Sequence, residues 1–310
     1  MREIAVFGGS AHPALTAEIC AHLNVPQRPV LLKRFANDCL EVQLQSNCRE
    51  RDVFVIQPLV KPVQENLVEL LLMADAARGA SAARVTAVIP HYAYGRSDKK
   101  DAPRISIGGR LVADLLVTAG VNRVLTLNLH SPQVHGFFSV PVDHLHALRE
   151  LADHFRGRDL SNAMVVSPDL GYAKSAAAFA RRLGLLVAAG AKERISDTEV
   201  RITAIIGDVA GRDVIVLDDE ISRGTTVFEL LDRLRADGAR SVAVACTHGL
   251  FADNSLDKLA AAADVTEIVC TNSAPLEAEH PKLTVLSVAP ALAEAISRIH
   301  IGESVSALFD

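Results

Sequence analysis

The sequence predicts an α/β protein in which two domains each hold a mostly parallel sheet flanked by helices. Short apolar runs alternate with longer stretches of helical spacing, and this alternation begins again in the second half of the chain. The chain has 310 residues, a length that suits two domains of ordinary size. We place the domain boundary near residue 145, which gives domains of residues 1–145 and 146–310.

The apolar runs of the first half indicate buried parallel strands, and its segments with three-to-four spacing indicate helices. The predicted strands are Ile4–Phe7, Val53–Gln57, Val85–Pro90 and Val124–Asn128, and the helices are Leu67–Arg78 and Ile107–Ala119. In the second half the predicted strands are Ala163–Ser167, Val214–Leu217, Ser241–Thr247 and Glu267–Cys270, and the helices are Gly171–Leu183, Val227–Asp237 and Ala289–Ile299. Residues 91–106, 130–142 and 191–198 lack a regular pattern, and loops of that length are often functional.

Composition excludes several classes of function. Hydrophobic residues make up 49% of the chain, whereas aromatic residues are only 4% and Trp is absent, so the core is aliphatic. The net charge of −5 and the scarcity of aromatic stacking platforms argue against binding to a nucleic-acid polymer. No apolar run approaches the ~20 residues of a membrane span, and the N-terminus does not resemble a signal peptide. The five cysteines are scattered without a C-x-x-C pair, which favours reduced thiols in a cytoplasmic protein.

The strongest local signal is a strand, a pair of acids and a small-residue turn that leads into a helix. Asp218 and Asp219 follow the apolar run Val214–Leu217, and the helical pattern begins near Val227. In open α/β sheets ligands bind at the carboxyl ends of strands, and a turn with a helix N-terminus can hold a phosphate. The acids suit ribose hydroxyls or, indirectly, Mg²⁺. The alternative interpretation is an ordinary turn whose Ser and Thr residues cap the helix.

This segment resembles the phosphoribosyl-pyrophosphate loop of type I phosphoribosyltransferases and ribose-phosphate pyrophosphokinases. The resemblance implies two tandem phosphoribosyltransferase-like domains. It also implies that Asp218 and Asp219 face the ribose hydroxyls of ribose 5-phosphate. The residues that it assigns to the 5-phosphate are Ser222, Arg223, Gly224, Thr225 and Thr226.

Three further segments resemble the pyrophosphokinases specifically. Residues 91–100 resemble the ATP-binding segment of the family, which implies contacts to ATP from Arg96, Ser97 and Asp98, although a solvated charged loop would look similar. Residues 127–138 resemble the family signature around a metal-linked histidine, here His130, which implies contact with Mg²⁺ or the ATP phosphates. The Ser-Pro-Asp sequence that ends at Asp169 implies the second metal-linked residue.

Two other segments also resemble parts of the family, and the second departs from its pattern. Residues 191–196 resemble the mobile catalytic loop, which implies that Lys192 and Arg194 are catalytic. Residues 34–42 resemble the loop that reaches the adenine of ATP held mainly by a neighbouring subunit. They carry two extra residues and lack the glycine of the family. The residues that this loop assigns to ATP are Phe35, Asn37, Asp38 and Glu41.

The resemblance to the ribose-phosphate pyrophosphokinases therefore implies a diphosphotransferase with Mg²⁺ as its cofactor. The β,γ-diphosphoryl group of ATP is transferred to the 1-hydroxyl of ribose 5-phosphate, giving phosphoribosyl pyrophosphate and AMP. The resemblance also implies a homo-oligomer built from dimers. Two alternatives stay open at this point: a phosphoribosyltransferase, and a non-catalytic synthetase-associated regulatory subunit. The chain contains no Gly-Lys dipeptide and therefore no Walker A loop.

Overall fold

The computed structural model describes residues 2–194, 200–276 and 278–308, without the side chains of residues 192–194 and 200. The described residues form two compact units. The first unit comprises the chain up to His146, together with Ser273–Pro275 and the residues from Val288 onward. The second unit comprises Ala147–Asn272 and Leu276–Ser287.

The first unit is built on a six-stranded parallel sheet with the strand order β2-β1-β5-β6-β7-β8. Its strands are β1 (Ile4–Gly8), β2 (Gln27–Arg28), β3 (Val30–Arg34), β4 (Leu40–Leu44), β5 (Asp52–Ile56), β6 (Arg84–Ile89), β7 (Arg123–Leu127) and β8 (Val142–Leu145), of which β3 and β4 form a separate antiparallel hairpin. Its first three helices are α1 (Pro13–Leu23), α2 (Val63–Gly79) and α3 (Gly108–Ala119). All four strands and both helices predicted in this half are therefore confirmed.

The second unit holds a seven-stranded sheet with the order β11-β10-β9-β12-β13-β14-β15, in which only the β10–β11 pair is antiparallel. Its strands are β9 (Ala163–Ser167), β10 (Leu186–Arg194), β11 (Val200–Ile206), β12 (Asp213–Ile221), β13 (Ser241–Gly249), β14 (Val265–Thr271) and β15 (Leu283–Leu286). Its helices are α4 (Leu148–Phe155), α5 (Ala173–Leu183), α6 (Thr225–Ala236) and α7 (Ser255–Ala261). The prediction of a loop at 191–194 was wrong, because the backbone there continues β10 and pairs with β11.

The parallel strands are apolar because helices or loops cover both faces of each sheet. In β5 every residue is buried, and Val214–Leu217 of β12 is buried throughout. Aliphatic side chains dominate the interior, and only a few large aromatic side chains such as Phe7, Phe54 and Phe179 are fully buried. Among the described residues, no helix combines the length and apolarity that crossing a membrane requires.

The closing helix α8 (Ala289–Ile301) packs in the first unit, although sequence order suggested the second. It lies against α1 and buries Leu292, Ile296 and Ile299. The end of α8 is also held by polar contacts, since Arg84 donates a hydrogen bond of 2.9 Å to the carbonyl of Ile299. The unit that holds the N-terminal strands therefore also includes α8.

A buried ion pair joins this helix to the first sheet. The side chain of Asp52, which is only 3% exposed, accepts a 2.8 Å hydrogen bond from Nε of Arg84 and lies 2.9 Å from Nδ1 of His300. We expect Asp52→Ala to lower the free energy of unfolding by about 3 kcal/mol, because it leaves the partly buried side chains of Arg84 and His300 without their shared partner. Urea unfolding of the purified protein measures this change.

Asp75→Ala is the matched control for this prediction. Asp75 pairs with Arg78 on the exposed face of α2, where both side chains are more than half exposed. Such surface pairs contribute about 0–1 kcal/mol. Equal losses of stability in the two variants would contradict the role assigned to Asp52.

Candidate active site

The turn after β12 has the geometry of an anion-binding site. Pairing with β13 extends β12 to Ile221, so Asp218 and Asp219 lie within the strand, and only Ser222–Gly224 separates the strand from α6. The helix begins at Thr225, two residues earlier than predicted. Because the first N–H groups of a helix have no partner within it, those of Thr225 and the following residues point towards this turn.

Gly224 is the residue that makes this turn possible. It adopts φ +75° and ψ 10°, in the left-handed region, where a residue with a side chain is strained by about 1–2 kcal/mol. A Cβ atom built on Gly224 would also lie 3.1 Å from the ring of Phe228. The small residue is therefore required both for the backbone conformation and for the packing of the first helical turn.

Three carboxylates meet at the carboxyl end of the second sheet. Strand β9 pairs in parallel with β12, with Val166 opposite Val216, so Asp169 and Asp218 follow at the same edge. Burial raises the pKa of Asp218 well above its ordinary value, and the charges of Asp219 and Asp169 raise it further. The edge of this sheet is therefore a strongly negative environment that favours hydrogen-bond donors or a cation.

Local hydrogen bonds fix the position of Asp169. Its Oδ1 accepts a 3.0 Å hydrogen bond from the backbone nitrogen of Tyr172, and the hydroxyl of Ser167 donates to its backbone carbonyl at 2.6 Å. The residues Leu170-Gly171-Tyr172 form a turn, and the hydrogen bond from Tyr172 keeps the carboxylate at the strand end.

In the first unit, two predicted ATP segments are brought together after neighbouring strands. Arg96 ends a short 3₁₀ helix that follows β6, and His130 follows β7, which is the strand beside β6. The two segments touch, because a Cβ atom on Gly95 would lie 3.6 Å from the backbone nitrogen of His130. Both Arg96 and His130 are exposed to solvent.

Ser97 and Asp98 hold this region together. The hydroxyl of Ser97 accepts a 2.8 Å hydrogen bond from the backbone nitrogen of Gly108 at the start of α3. Burial alone would raise the pKa of Asp98, but hydrogen bonds from Ser131 and Lys99 outweigh it and hold that pKa below its usual range. These two residues therefore shape the loop, and Arg96 is the more exposed of the three predicted ATP contacts.

The predicted adenine loop is the tip of the β3–β4 hairpin. Phe35 is 41% exposed, and Nζ of Lys33 lies 4.8 Å from its ring centroid. Asp38 has φ +71° and accepts a 2.5 Å hydrogen bond from Arg34, and Oδ1 of Asn37 accepts one of 3.3 Å from the nitrogen of Cys39. The two extra residues are thus absorbed as hairpin loop, while Glu41, opposite Lys33 in the register, is exposed.

The remaining predicted residues are placed only in part. The backbone of Lys192 and Arg194 belongs to the end of β10, and their side chains lie outside the described part of the chain. Of the phosphate-loop side chains, Arg223 has its Nε 2.8 Å from Oδ2 of Asp253. Sequence reasoning did not single out Asp253, which lies in an irregular segment after β13 without a motif of its own.

Comparison with known proteins agrees with this architecture. A sequence model of the N-terminal domain of ribose phosphate pyrophosphokinase matches residues 4–120, and one of the phosphoribosyl synthetase-associated domain matches residues 190–310. A putative ribose-phosphate pyrophosphokinase of Streptomyces coelicolor is 71% identical, over 100% of this chain and 98% of its own length. The ribose-phosphate pyrophosphokinase of Deinococcus radiodurans is 50% identical, over 98% of this chain and 97% of its own. The chain belongs to the ribose-phosphate pyrophosphokinase family.

A solved structure supports the same membership. The crystal structure of phosphoribosylpyrophosphate synthetase from Mycobacterium smegmatis has a TM-score of 0.90 and 37% identity, and the match covers 97% of this chain and 100% of that one. The predicted fold and the predicted enzyme activity, ribose-phosphate pyrophosphokinase, are both confirmed. Neither alternative, a phosphoribosyltransferase or a non-catalytic subunit, is supported by these relatives.

The carboxyl end of the second sheet offers several carboxylate oxygens to a cation. Among residues 2–194, 200–276 and 278–308, no group of three or more His, Cys, Asp or Glu is arranged to hold a metal ion. Mg²⁺ commonly binds through one or two carboxylates and completes its shell with water and substrate phosphates. The carboxylates of Asp169, Asp218 and Asp219 fit such an ion, because a cation offsets their mutual repulsion.

The repulsion between Asp218 and its acidic neighbours predicts that removing its charge raises stability and lowers activity. The folded state raises the pKa of Asp218 above the unfolded carboxyl value of about 3.9. The protein therefore loses stability as the pH rises from that unfolded value towards the raised value of the folded state. Asp218→Asn removes this penalty and keeps the oxygen that accepts from the nitrogen of Asp219. We expect the variant without ligands to melt at a higher temperature than the wild type at neutral pH, with the difference vanishing towards pH 3. We also expect it to lose activity.

Asp213→Asn, at the opposite end of the same strand, is the control. There a hydrogen bond from Arg240 lowers the pKa of Asp213 despite partial burial, so the substitution acts with the opposite sign. Calorimetric melting between pH 3 and 8 measures both variants. A melting temperature of Asp218→Asn below that of the wild type at pH 7 would contradict the assignment.

Proposed function

We propose that ribose 5-phosphate binds at the turn between β12 and α6, and that this site accepts the diphosphoryl group of ATP at the sugar 1-hydroxyl. The observation that carries the proposal is the joining of two features in one short segment. The carboxylates of Asp218 and Asp219 lie near the carboxyl end of β12, and α6 begins at Thr225 after the three-residue turn Ser222–Gly224. The first feature suits sugar hydroxyls, and the second suits a phosphate.

The 5-phosphate is held mainly by backbone groups. The left-handed Gly224 turns the chain so that N–H groups of the turn and of the first turn of α6 converge, as in other phosphate-binding turns. The hydroxyls of Ser222, Thr225 and Thr226 add donors, and the backbone of Arg223 belongs to the same turn. An anion at this end of the helix also interacts favourably with the helix dipole.

Asp218 and Asp219 accept hydrogen bonds from the ribose hydroxyls. In the unliganded state Asp218 is destabilised as a carboxylate by burial and by neighbouring charges. Hydroxyl donors from the sugar stabilise the Asp218 carboxylate and so offset part of its destabilisation. These hydrogen bonds hold the ribose ring in the orientation that the reaction requires. The site thereby orients the 1-hydroxyl without forming a covalent bond to the protein.

ATP is bound by the exposed loops of the first unit. The guanidinium of Arg96 offers two parallel donors to a phosphate, with Ser97 and Asp98 shaping its loop. The tip of the β3–β4 hairpin supplies Phe35 to the adenine, with Asn37, Asp38 and Glu41 beside it. We propose that this hairpin serves the ATP of a second copy of the chain, within a homo-oligomer built from dimers.

Mg²⁺ is the proposed cofactor, held by His130 and Asp169 together with the phosphates of ATP. When bound, it neutralises charge on the phosphoryl oxygens and polarises the diphosphoryl group. Asp169 is oriented for this role by the hydrogen bond from Tyr172, and His130 is exposed at the end of β7. Lys192 and Arg194 supply the cationic side chains that stabilise the transferring group.

The thiols suggest where this reaction takes place. All five cysteines are free, and four of them are buried. Free thiols persist in reducing compartments, and we therefore propose a cytoplasmic location for this enzyme.

Product analysis of the purified protein tests the proposed reaction. We expect ATP and ribose 5-phosphate to yield equal amounts of AMP and phosphoribosyl pyrophosphate, and we expect chelation of Mg²⁺ to abolish turnover. Chromatography of the nucleotides distinguishes AMP from ADP. Formation of ADP, or AMP release that does not depend on ribose 5-phosphate, would rule out diphosphoryl transfer to the sugar.

The role of Lys192 is tested by substitution. We expect Lys192→Ala to lower kcat by about 10²–10³-fold, the usual effect of removing one donor from a developing oxyanion. The substitution should leave the melting temperature within a degree or two of the wild type. Arg149→Ala, on the exposed face of α4, is the control and should keep full activity. A kcat unchanged by Lys192→Ala would remove this residue from the mechanism.

A further inference from the structure

The segment after β13 has an unusual backbone. Strand β13 is the neighbour of β12, and the residues that follow it include three non-glycine positions in the left-handed region. These are Phe251 with φ +41°, Asp253 with φ +56° and Asn254 with φ +58°. Such conformations are costly for residues with side chains and persist when the surrounding structure determines them. This strained segment lies directly beside the phosphate turn.

Backbone and hydroxyl hydrogen bonds tie the segment to the beginning of the turn. The nitrogens of Leu250 and Phe251 both donate to the carbonyl of Ile221, at 2.9 and 3.1 Å. The hydroxyl of Ser255 donates to the carbonyl of Ser222 at 2.7 Å. Ser255 is completely buried, so its hydroxyl is held in a fixed position. The segment therefore fixes the backbone of Ile221 and Ser222, where the proposed phosphate-binding turn begins.

A third contact reaches the side chain in the middle of the turn. Nε of Arg223 lies 2.8 Å from Oδ2 of Asp253. The side chains are 75% and 65% exposed, and pairs of this kind contribute only about 0–1 kcal/mol to stability. Stability alone therefore does not explain why a strained backbone places a carboxylate there. The contact does determine where the guanidinium lies.

The way in which Arg223 is held leaves it able to bind an anion. Asp253 contacts it through Nε, whereas a bidentate contact to phosphate can use the two terminal nitrogens. Arg223 is also the residue before Gly224, so its side chain starts beside the groups proposed to bind the 5-phosphate. Its bulk does not obstruct the turn, because the side chain extends towards Asp253.

We propose that Asp253 is a positioning residue of the ribose 5-phosphate site, which orients the Arg223 guanidinium towards the 5-phosphate. The pair would thereby strengthen the preference for a phosphorylated sugar over ribose itself. This inference rests on the proposed function of the β12–α6 turn. The proposal adds Asp253 to this site. Asp253 lies in the strained segment that follows β13, whereas the turn itself follows β12.

Steady-state kinetics of Asp253→Asn tests the proposal. Asn tolerates the left-handed backbone and keeps the shape of the side chain, so the change removes chiefly the charge. We expect KM for ribose 5-phosphate to rise about threefold to tenfold, the range of one weakened charge-assisted contact, with kcat and KM for ATP within twofold. Asp257→Asn, an exposed acid on α7, is the matched control for the change in net charge and should leave KM unchanged.

A double-mutant cycle separates orientation from other effects. We expect Arg223→Ala to raise KM for ribose 5-phosphate at least as much as Asp253→Asn does. In the Arg223→Ala background, Asp253→Asn should then add less than twofold, because no guanidinium remains to be oriented. The full effect of Asp253→Asn in that background would contradict the proposal. An unchanged KM for ribose 5-phosphate in the Asp253→Asn variant would also contradict the proposal. A lowered KM would contradict it as well, because it would show that Asp253 competes with the phosphate for Arg223.

Binding measurements keep this inference separable from the proposed function. Titration calorimetry with ribose 5-phosphate, and with ribose as the unphosphorylated probe, gives affinities without turnover. If the wild type forms no AMP, the proposed reaction is wrong, and the titrations still decide whether Asp253→Asn weakens binding of the phosphorylated sugar alone. Equal affinities of the wild type and Asp253→Asn for ribose 5-phosphate would overturn the role of Asp253 even if the reaction is confirmed.

Discussion

The active site depends on one constraint: parallel strands that lie side by side end at the same edge of a sheet. In the second unit, β9, β12 and β13 are consecutive neighbours, so whatever follows each of them is brought to a common place. Asp169, the acidic pair of β12 and the segment from Leu250 to Ser255 are separated by about 30 to 50 residues in sequence, yet they surround one turn. The order of the strands in the sheet thus brings these distant residues together around the turn.

The clustered carboxylates and the strained backbone around this turn lower the stability of the folded protein. Carboxylates are concentrated at a buried strand end, where they repel one another and where burial raises the pKa of Asp218. The neighbouring segment holds Phe251, Asp253 and Asn254 in left-handed conformations. Buried apolar runs of the same strands, such as Val214–Leu217, compensate for these costs, because each fully buried aliphatic side chain contributes about 1.5–3 kcal/mol.

The predictions succeeded and failed for identifiable reasons. Apolar runs identified the central strands because these strands are buried on both faces, and every strand predicted in either half is present. The extension of β10 over Ala191–Arg194 was missed, because the charged residues Lys192, Glu193 and Arg194 carry no apolar pattern. The membership of α8 was also missed. Its apolar face could cover either domain, and the contacts of Asp52, Arg84 and His300 join it to the first.

The sequence by itself determined the fold class and the family, and it located the turn between β12 and α6. A contiguous motif such as Asp218–Thr226 encodes its local backbone through residue types that have few alternatives, above all Gly224 in a left-handed conformation. Only the tertiary structure decided which distant residues support that turn. The pairing of Arg223 with Asp253 and of Ser222 with Ser255 follows from the order of strands in the sheet. Strand order is a property of long-range packing, and no local pattern in the chain records it.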